Sequence, residues 1–338
     1  MQIEHITLVR TPQGTPTEAD FAFGSGTLPA HAEGQALVRV LALSLDPYLR
    51  SAMAGRHLSA AIHPGDVVRG EGLVQVLESR HPRLTPGTQW VAQCGWRSHA
   101  LLGVEAIEQA RRVGPEVQPP TLALGALGMP GLTAWAGFKR LADAKPGDTL
   151  VVSAASGPVG ATVGQLARLA GCRVIGIAGG PEKCAWVTRR AGFDACIDYR
   201  AEDLREALRR HAPDGVDIYF DNVGGDVLLA VCEQLAVGAR VVLCGLVSSY
   251  NGGVTQNTAA LMQLVNKAAR MEGFLVSEYL HRYAEVIATL QDWAADGSLK
   301  YRIEVLDGLD KIVEAMTRVF HGKNQGVQLV KIAQEGTQ

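Results

Sequence analysis

The sequence predicts an α/β protein of two parts, a small β-rich domain and a doubly wound parallel-sheet domain. Three observations predict it. Roughly the first 120 residues carry short apolar runs separated by Pro-Gly turns. After Lys145-Pro146-Gly147-Asp148, apolar strands alternate with amphipathic helices. The first strand of that alternation runs straight into a glycine-bearing turn that opens a helix. A chain of 338 residues is long for one ordinary domain and sufficient for two.

The opening MQIEHITLVR carries charges and alternation where a signal peptide would need an apolar block. ALVRVLALSL (36–45), GLVQVLES (72–79) and QWVAQCGW (89–96) are rich in β-branched and apolar residues and read as strands. His63-Pro64-Gly65-Asp66 and Thr85-Pro86-Gly87-Thr88 supply turns between them, and helical periodicity is nearly absent. Pro119-Pro120 marks a change of character, followed by the small-residue-rich stretch LGALGMPGLTAWAGFKRLADA (124–144). TLVVSA (149–154) is a buried-strand run. Pro158–Ala170 places Val159, Val163, Leu166 and Ala170 on one helical face, with Gly171 where a C-cap belongs. RVIGIA (173–178) is the next strand, then a helix over Pro181–Ala191, then strands ACIDY (195–199), VDIYFD (216–221) and ARVVLCG (239–245). Alternation of this kind demands a parallel, doubly wound sheet. Beyond about residue 298, LKYRIEVL is strand-like and Leu309, Ile312, Val313, Met316, Val319 and Phe320 form a helical stripe; GVQLVKI (326–332) is a last strand. This tail returns to complete the β-rich domain. The domains are therefore expected at 1–124 with 299–338, and at 125–298.

Composition narrows the function. A net charge of −2 gives no general attraction to phosphate backbones or anionic lipid, so neither nucleic acid nor a membrane surface is expected as partner. No stretch approaches the roughly 20 apolar residues of a membrane helix. The six cysteines stand singly with no CxxC pair, which reads as reduced, buried thiols of a cytoplasmic protein.

The segment TLVVSAASGPVGATVGQLARLAG (149–171) is the most informative. Its strand leads into Ala154-x-x-Gly157-x-x-Gly160, and a helix starts at Pro158 and Val159. Glycines at such a turn permit close approach to a pyrophosphate, and the helix N-terminus offers it free N–H groups and a positive dipole end. Ala154 takes the place of the first glycine, which weakens the pattern taken alone. Glycines that merely pack a turn are the plain alternative; the strand before, the helix after and the βαβ continuation argue against it. An NAD site wants a carboxylate at the end of the second strand for the ribose 2′-OH. Here the chain reads Ile177-Ala178-Gly179-Gly180-Pro181-Glu182-Lys183. Gly179 and Gly180 leave room and Lys183 supplies positive charge, so NADPH is the expected cofactor. Glu182 is the rival, and an ordinary solvated Lys183 is the alternative reading.

With these segments, FDNVGG (220–225), CGLVSSYN (244–251) and SLDPYLR (44–50) in view, the chain resembles the zinc-independent medium-chain dehydrogenase/reductases. The resemblance is to the branch of prostaglandin and leukotriene reductases, plant alkenal double-bond reductases and bacterial curcumin reductase. It runs through nearly the whole chain, including ALGMPGLTAW and GKNQGVQLVKI. It implies a GroES-like domain clasping a Rossmann domain, with NADPH in the cleft, and a homodimer. By the same resemblance, Lys183 and Tyr199 match positions that hold the 2′-phosphate, with Arg200 beside them. Asn222 matches a residue near the cofactor, Gly245 and Tyr250 match the segment along the nicotinamide ribose, and Asn324 matches a residue of the final loop. Tyr48 matches a tyrosine over the substrate. Each has a plainer alternative: Tyr250 as a turn aromatic, Tyr48 as a packing residue, Asn222 and Asn324 as turn formers. Two departures stand out: Val327 follows Gly326 where the family usually has Lys, and Asn266 stands five residues before Met271, where some members carry Tyr.

Alcohol dehydrogenases of this architecture need a cysteine and a His-Glu pair for zinc. The equivalent stretch is Arg69-Gly70-Glu71-Gly72, with Asp46-Pro47 where the cysteine belongs; Asp46 reads as a local turn cap. Cys94 and His99 lack an evident third ligand, and a catalytic zinc wants three. No metal is expected. Without a Lewis acid, the β-carbon of an α,β-unsaturated ketone or aldehyde is a better hydride acceptor than an unactivated carbonyl, because the enolate oxygen needs only positioned donors. Tyr250 is the expected donor and Tyr48 the residue shaping the enone pocket. The alternatives are a quinone reductase and a catalytically silent NADPH-binding protein.

Overall fold

The computed structural model describes residues 1–56, 60–252 and 258–332. The chain divides into two compact units, Met1–Leu124 with the segment from Ile303 onward, and Gly125–Arg302. Residues 333–338, counted with the β-rich domain in the sequence reading, lie outside the described residues.

In the β-rich unit, β1 (Gln2–Leu8) and β2 (Phe21–Thr27) form an antiparallel pair. A larger sheet is built from β3 (Ala36–Ser44), β4 (Glu71–Ser79), β5 (Gln89–Gln93), β6 (His99–Leu102), β7 (Arg111–Val113), β14 (Ile303–Asp307) and β15 (Val327–Lys331). Its order is β14-β15-β3-β4-β5-β7, with β6 also on β3. The apolar run of β3 is explained by that central place, since only Arg39 within it escapes burial. The unit is less purely β than its sequence suggests, because α1 (Tyr48–Met53) and α2 (Val104–Gln109) are each a turn and a half, too short to show a period. Helix α10 (Ile312–Phe320) sets Ile312, Val313, Ala315 and Met316 into the core, as the stripe predicts.

The second unit is a Rossmann domain. Its sheet has the order β10-β9-β8-β11-β12-β13, every pair parallel. The strands are β8 (Thr149–Ser153), β9 (Arg173–Ala178), β10 (Ala195–Asp198), β11 (Val216–Asp221), β12 (Leu235–Leu243) and β13 (Arg270–Gly273). The helices are α3 (Met129–Gly137), α4 (Pro158–Leu169), α5 (Pro181–Arg189), α6 (Leu204–His211), α7 (Gly225–Cys232), α8 (Thr258–Asn266) and α9 (Tyr283–Ala295). Helix α4 buries Val163, Leu166 and Ala167, and Gly171 follows its C-cap at φ +82°. Gly164 admits Phe193 so closely that a Cβ there would lie 1.9 Å from the ring. Strand β13 escapes sequence reading because four residues, two of them charged, carry no period. Residues 299–302 belong to this unit rather than to the β-rich one. Gln165 on α4 accepts from the Lys300 N–H (2.6 Å) and donates to its carbonyl (2.9 Å), and Arg302 pairs with Glu182 at 2.6 Å. Among the described residues, no helix is long and apolar enough to cross a membrane.

Candidate cofactor and active site

Beyond the end of β8 the chain turns through Ala154, which holds φ +50°. That is a left-handed conformation costing a residue with a Cβ about 1–2 kcal/mol, which is why glycine is the usual occupant. The turn is closed by the Gly157 N–H donating to the Ala154 carbonyl (2.9 Å) and the Ala155 N–H donating to that of Ile177 (3.0 Å). Gly160 lies against it, and a Cβ there would sit 2.4 Å from the Ala154 oxygen. Gly157 caps α4 in extended conformation, and Pro158 follows at the first helical position. Proline has no N–H to leave unsatisfied, so the helix leaves the N–H groups of Val159 and Gly160 without an intrahelical acceptor. Two such donors at a positive dipole end suit a pyrophosphate.

One strand over, Gly179 follows β9. A Cβ on it would meet Arg200 Nε at 2.8 Å and Tyr199 Oη at 2.9 Å, so both side chains fold across this glycine. The Arg200 guanidinium lies 5.7 Å from the centre of the Tyr199 ring. Lys183, on the first turn of α5, is only 8% exposed, which sets aside the reading of it as a solvated surface residue. The rival Glu182 is engaged by Arg302. Asp198, which sequence reasoning passed over, joins the strand ends: its Oδ1 accepts from the N–H of Gly180 (2.8 Å) and of Arg200 (3.1 Å). A guanidinium and a phenol across a glycine at a strand end, with Lys183 on the first turn of the helix that follows, fit a ribose 2′-phosphate.

The turn after β11 is organised by a buried carboxylate, also unforeseen. Asp221 accepts from Tyr219 Oη (2.7 Å), Ser153 Oγ (3.0 Å) and the N–H groups of Val223 (2.9 Å) and Gly224 (3.0 Å). Burial pushes its pKa up while these bonds oppose the shift. Asn222 donates its side-chain N–H to the Ser153 carbonyl at 2.8 Å, tying the ends of β8 and β11; this is the turn-forming role. Gly245, after β12, donates to the Asp221 carbonyl (3.2 Å), and Ser248 Oγ donates to that of Val223 (2.6 Å). Tyr250 folds back so that its hydroxyl would lie 3.4 Å from a Gly245 Cβ, within reach of the Leu246 N–H. Burial raises its pKa, so at neutral pH it is a hydrogen-bond donor rather than a phenolate. The structure thus brings Asn222, Gly245 and Tyr250 together beyond the carboxyl ends of β8, β11 and β12, where doubly wound sheets bind ligands. A pocket of about 460 Å³ opens beyond β12 and β13, lined by Leu243, Glu272, Phe274 and Tyr279 among others.

The β-rich unit carries the remaining two residues. Tyr48 opens α1, is partly buried, and bonds Gln93 through its hydroxyl; burial first, then the nearby Asp46 and Glu71, push its pKa well up. Asp46 is not the turn cap expected of it. α1 has no side-chain cap; the Asp46 carboxylate accepts from Ser44 Oγ at 3.2 Å instead. Burial, with Glu71 second, raises its pKa to about 7, and Glu71 itself pairs with Arg111 at 2.5 Å. Asn324 donates to the Gly326 carbonyl at 2.7 Å, within its own turn. Among the described residues, no group of three or more His, Cys, Asp and Glu side chains converges to hold a metal. Cys94 is buried, its thiol directed at the Gly70 carbonyl (3.9 Å), and His99 Nδ1 lies 3.2 Å from Ser98 Oγ. The thiols are not uniformly buried as expected: Cys94, Cys172 and Cys232 are, whereas Cys184, Cys196 and Cys244 are partly exposed.

Two family descriptions match the chain, "N-terminal domain of oxidoreductase" over residues 4–109 and "Zinc-binding dehydrogenase" over residues 158–292. The NADPH-dependent curcumin reductase of Escherichia coli (strain K12) is 38% identical over 96% of both chains. A 2-alkenal reductase (NADP(+)-dependent) of Nicotiana tabacum is 36% identical over 95% of both. The crystal structure of CurA from Vibrio vulnificus in complex with NADPH superposes with a TM-score of 0.92 at 39% identity, covering 98% of this chain and 99% of that one.

Proposed function

The chain belongs to the zinc-independent medium-chain dehydrogenase/reductases, in the branch of prostaglandin, curcumin and alkenal reductases, and we propose that it reduces the C=C bond of α,β-unsaturated ketones and aldehydes with NADPH. The observation that carries the cofactor half is the cluster at Gly179, where Tyr199 and Arg200 cross the glycine and Glu182 is occupied by Arg302. Its relatives are named for NADPH and NADP, which supports the same choice. When bound, NADPH supplies the hydride that reaches the β-carbon.

The chain's own residues then have distinct tasks. Val159 and Gly160 N–H groups receive the pyrophosphate, while Lys183, Tyr199 and Arg200 receive the 2′-phosphate. Asn222 and Asn324 hold the turns near the cofactor, and Gly245 leaves room along the nicotinamide ribose. Tyr250 would donate a hydrogen bond toward the enolate oxygen; a phenol is protonated at neutral pH, and burial raises its pKa further. Tyr48 shapes the enone pocket, and solvent or a tyrosine protonates the α-carbon. A homodimer belongs to the same reading and rests on the resemblance, while a cytoplasmic location rests on the six singly placed cysteines.

The test is NADPH oxidation with small alkenals, long-chain enones and quinones side by side, before and after chelator treatment. Turnover of the enones, a saturated carbonyl product by mass spectrometry and indifference to chelator are expected. Turnover of quinones alone would replace this reading with quinone reduction; cofactor binding without turnover of any acceptor would replace it with a silent binding protein.

A further inference from the structure

Three carboxylates flank the cluster at Gly179, and each is engaged by donors of the folded chain. Asp198 accepts from the N–H groups of Gly180 (2.8 Å) and Arg200 (3.1 Å). Glu202 pairs with Arg210 on α6. Glu182 accepts from Arg302 Nη2 at 2.6 Å, although the two residues lie 120 apart in the chain. The fold delivers Arg302 by a defined route. Leu299 is buried after the end of α9, and its N–H donates to the Trp293 carbonyl at 2.8 Å. The next residue, Lys300, has both backbone groups bonded to Gln165, a buried side chain of α4, at 2.6 and 2.9 Å. With residues 299 and 300 fixed in this way, the side chain two places on reaches the first turn of α5.

An ion pair between a largely exposed carboxylate and a part-exposed guanidinium adds little to stability. Its place in the fold gives it another use. Glu182 stands in the first turn of α5, directly before Lys183, where the positive dipole end of the helix favours any anion. A carboxylate there competes with a 2′-phosphate for the same field. A carboxylate near the end of the second strand is also the group that accepts from an unphosphorylated ribose 2′-OH. We propose that Arg302 is a specificity-determining residue: by pairing with Glu182 it cancels this charge, so that Lys183, Tyr199 and Arg200 select NADPH over NADH. The proposal rests on the NADPH reading above. An uncompensated carboxylate beside Lys183 opposes a doubly charged phosphate by a factor of about 3 to 10 at the dielectric of a partly solvated site. A neutral 2′-OH meets no such opposition.

The experiment titrates NADPH and NADH by fluorescence into the purified wild type and a set of variants. Arg302→Ala is expected to bind NADPH about 3- to 10-fold more weakly and NADH within about 2-fold of wild type, with its melting temperature little changed. Arg302→Lys keeps the charge, and the double variant Arg302→Ala with Glu182→Gln removes the carboxylate; each is expected to bind NADPH within about 2-fold of wild type. Raising the salt from ~0.05 M to ~0.5 M should narrow the gap between Arg302→Ala and wild type, because partly exposed charges are screened. Equal losses of NADPH and NADH affinity in Arg302→Ala would overturn the selectivity role and leave a merely structural one. A double variant as weak as the single would overturn the part given to Glu182. If Arg302→Ala binds both nucleotides as wild type does, this proposal fails while the NADPH reading stands. If the wild type itself binds NADH as tightly as NADPH, the NADPH reading fails, whatever the variants show.

Discussion

Gly160→Ala tests the nucleotide turn most directly. The new methyl would stand 2.4 Å from the Ala154 oxygen, 2.9 Å from its carbonyl carbon and 3.1 Å from the Ala155 Cα, all backbone atoms. None of these can rotate away, because the turn is fixed by the Ala155 N–H to Ile177 and the Gly157 N–H to Ala154. Overpacking costs about 1–3 kcal/mol, and alanine's better helix propensity returns about 1 kcal/mol; with rigid backbone atoms as close as 2.4 Å the cost lies toward the upper end of that range, for a net loss approaching about 2 kcal/mol. At about 2–4 °C per kcal/mol, the melting temperature should fall by several degrees. Opening the turn also re-aims the Val159 and Gly160 N–H groups. Losing one hydrogen bond to a charged group, about 1.5–3 kcal/mol, weakens binding at least 10-fold, for NADPH and NADH alike. Isothermal titration and thermal unfolding read the two effects separately. Gly164→Ala is the control. Its methyl strikes the Phe193 ring at 1.9 Å, in the core, so it should lower the melting temperature while leaving cofactor affinity near wild type. If Gly160→Ala binds NADPH as wild type does, the cofactor does not lie across this turn.

Three further outcomes are expected. Lys183→Ala should weaken NADPH binding about 10- to 100-fold while leaving NADH within about 2-fold, measured by fluorescence titration, since only the 2′-phosphate loses a charged partner. Tyr250→Phe should lower kcat on enones about 10-fold or more with a smaller change in KM; unchanged turnover removes the hydroxyl from the chemistry. Asp46 titrates near 7 in the folded chain, above the 3.8 of an unperturbed carboxyl, so its contribution to stability is full below that lower value and lost as pH rises through 7. Asp46→Asn should therefore shrink the fall in melting temperature between pH 5 and pH 8; an unaltered fall would show that Asp46 is ionised throughout.

The parts of this fold legible in sequence are those with a period or a punctuating residue. The strands β8 and β9 are apolar runs of buried strands, and Gly171 ends α4 where a left-handed residue was required. Strand β13 and helices α1 and α2 are too short for periodicity to be visible, and their positions are set by neighbours. The same division holds in the candidate site. Gly157, Gly160 and Lys183 announce themselves by spacing after a strand. Asp221 and Asp198 do not, because their importance lies in the backbone N–H groups they collect from turns, and those partners exist only once the chain has folded. The role of Asp46 is hidden for a related reason. Ser44, two residues back, offers the hydroxyl from which its carboxylate accepts, and that contact carries no signal in the sequence.

The β-rich sheet joins strands from opposite ends of the chain: Leu329 on β15 is registered with Ser44 on β3, and β15 in turn carries β14. On the ribosome the Rossmann strands therefore all emerge before the sheet that precedes them can be finished. Until the last thirty or so residues arrive, β3 presents its β15-facing hydrogen-bonding groups unpaired, an invitation to foreign strands. Loss of the C-terminal segment would leave a nascent chain whose nucleotide domain is whole while its other half keeps that edge open, so aggregation rather than a smaller working enzyme is the natural fate of a truncated product.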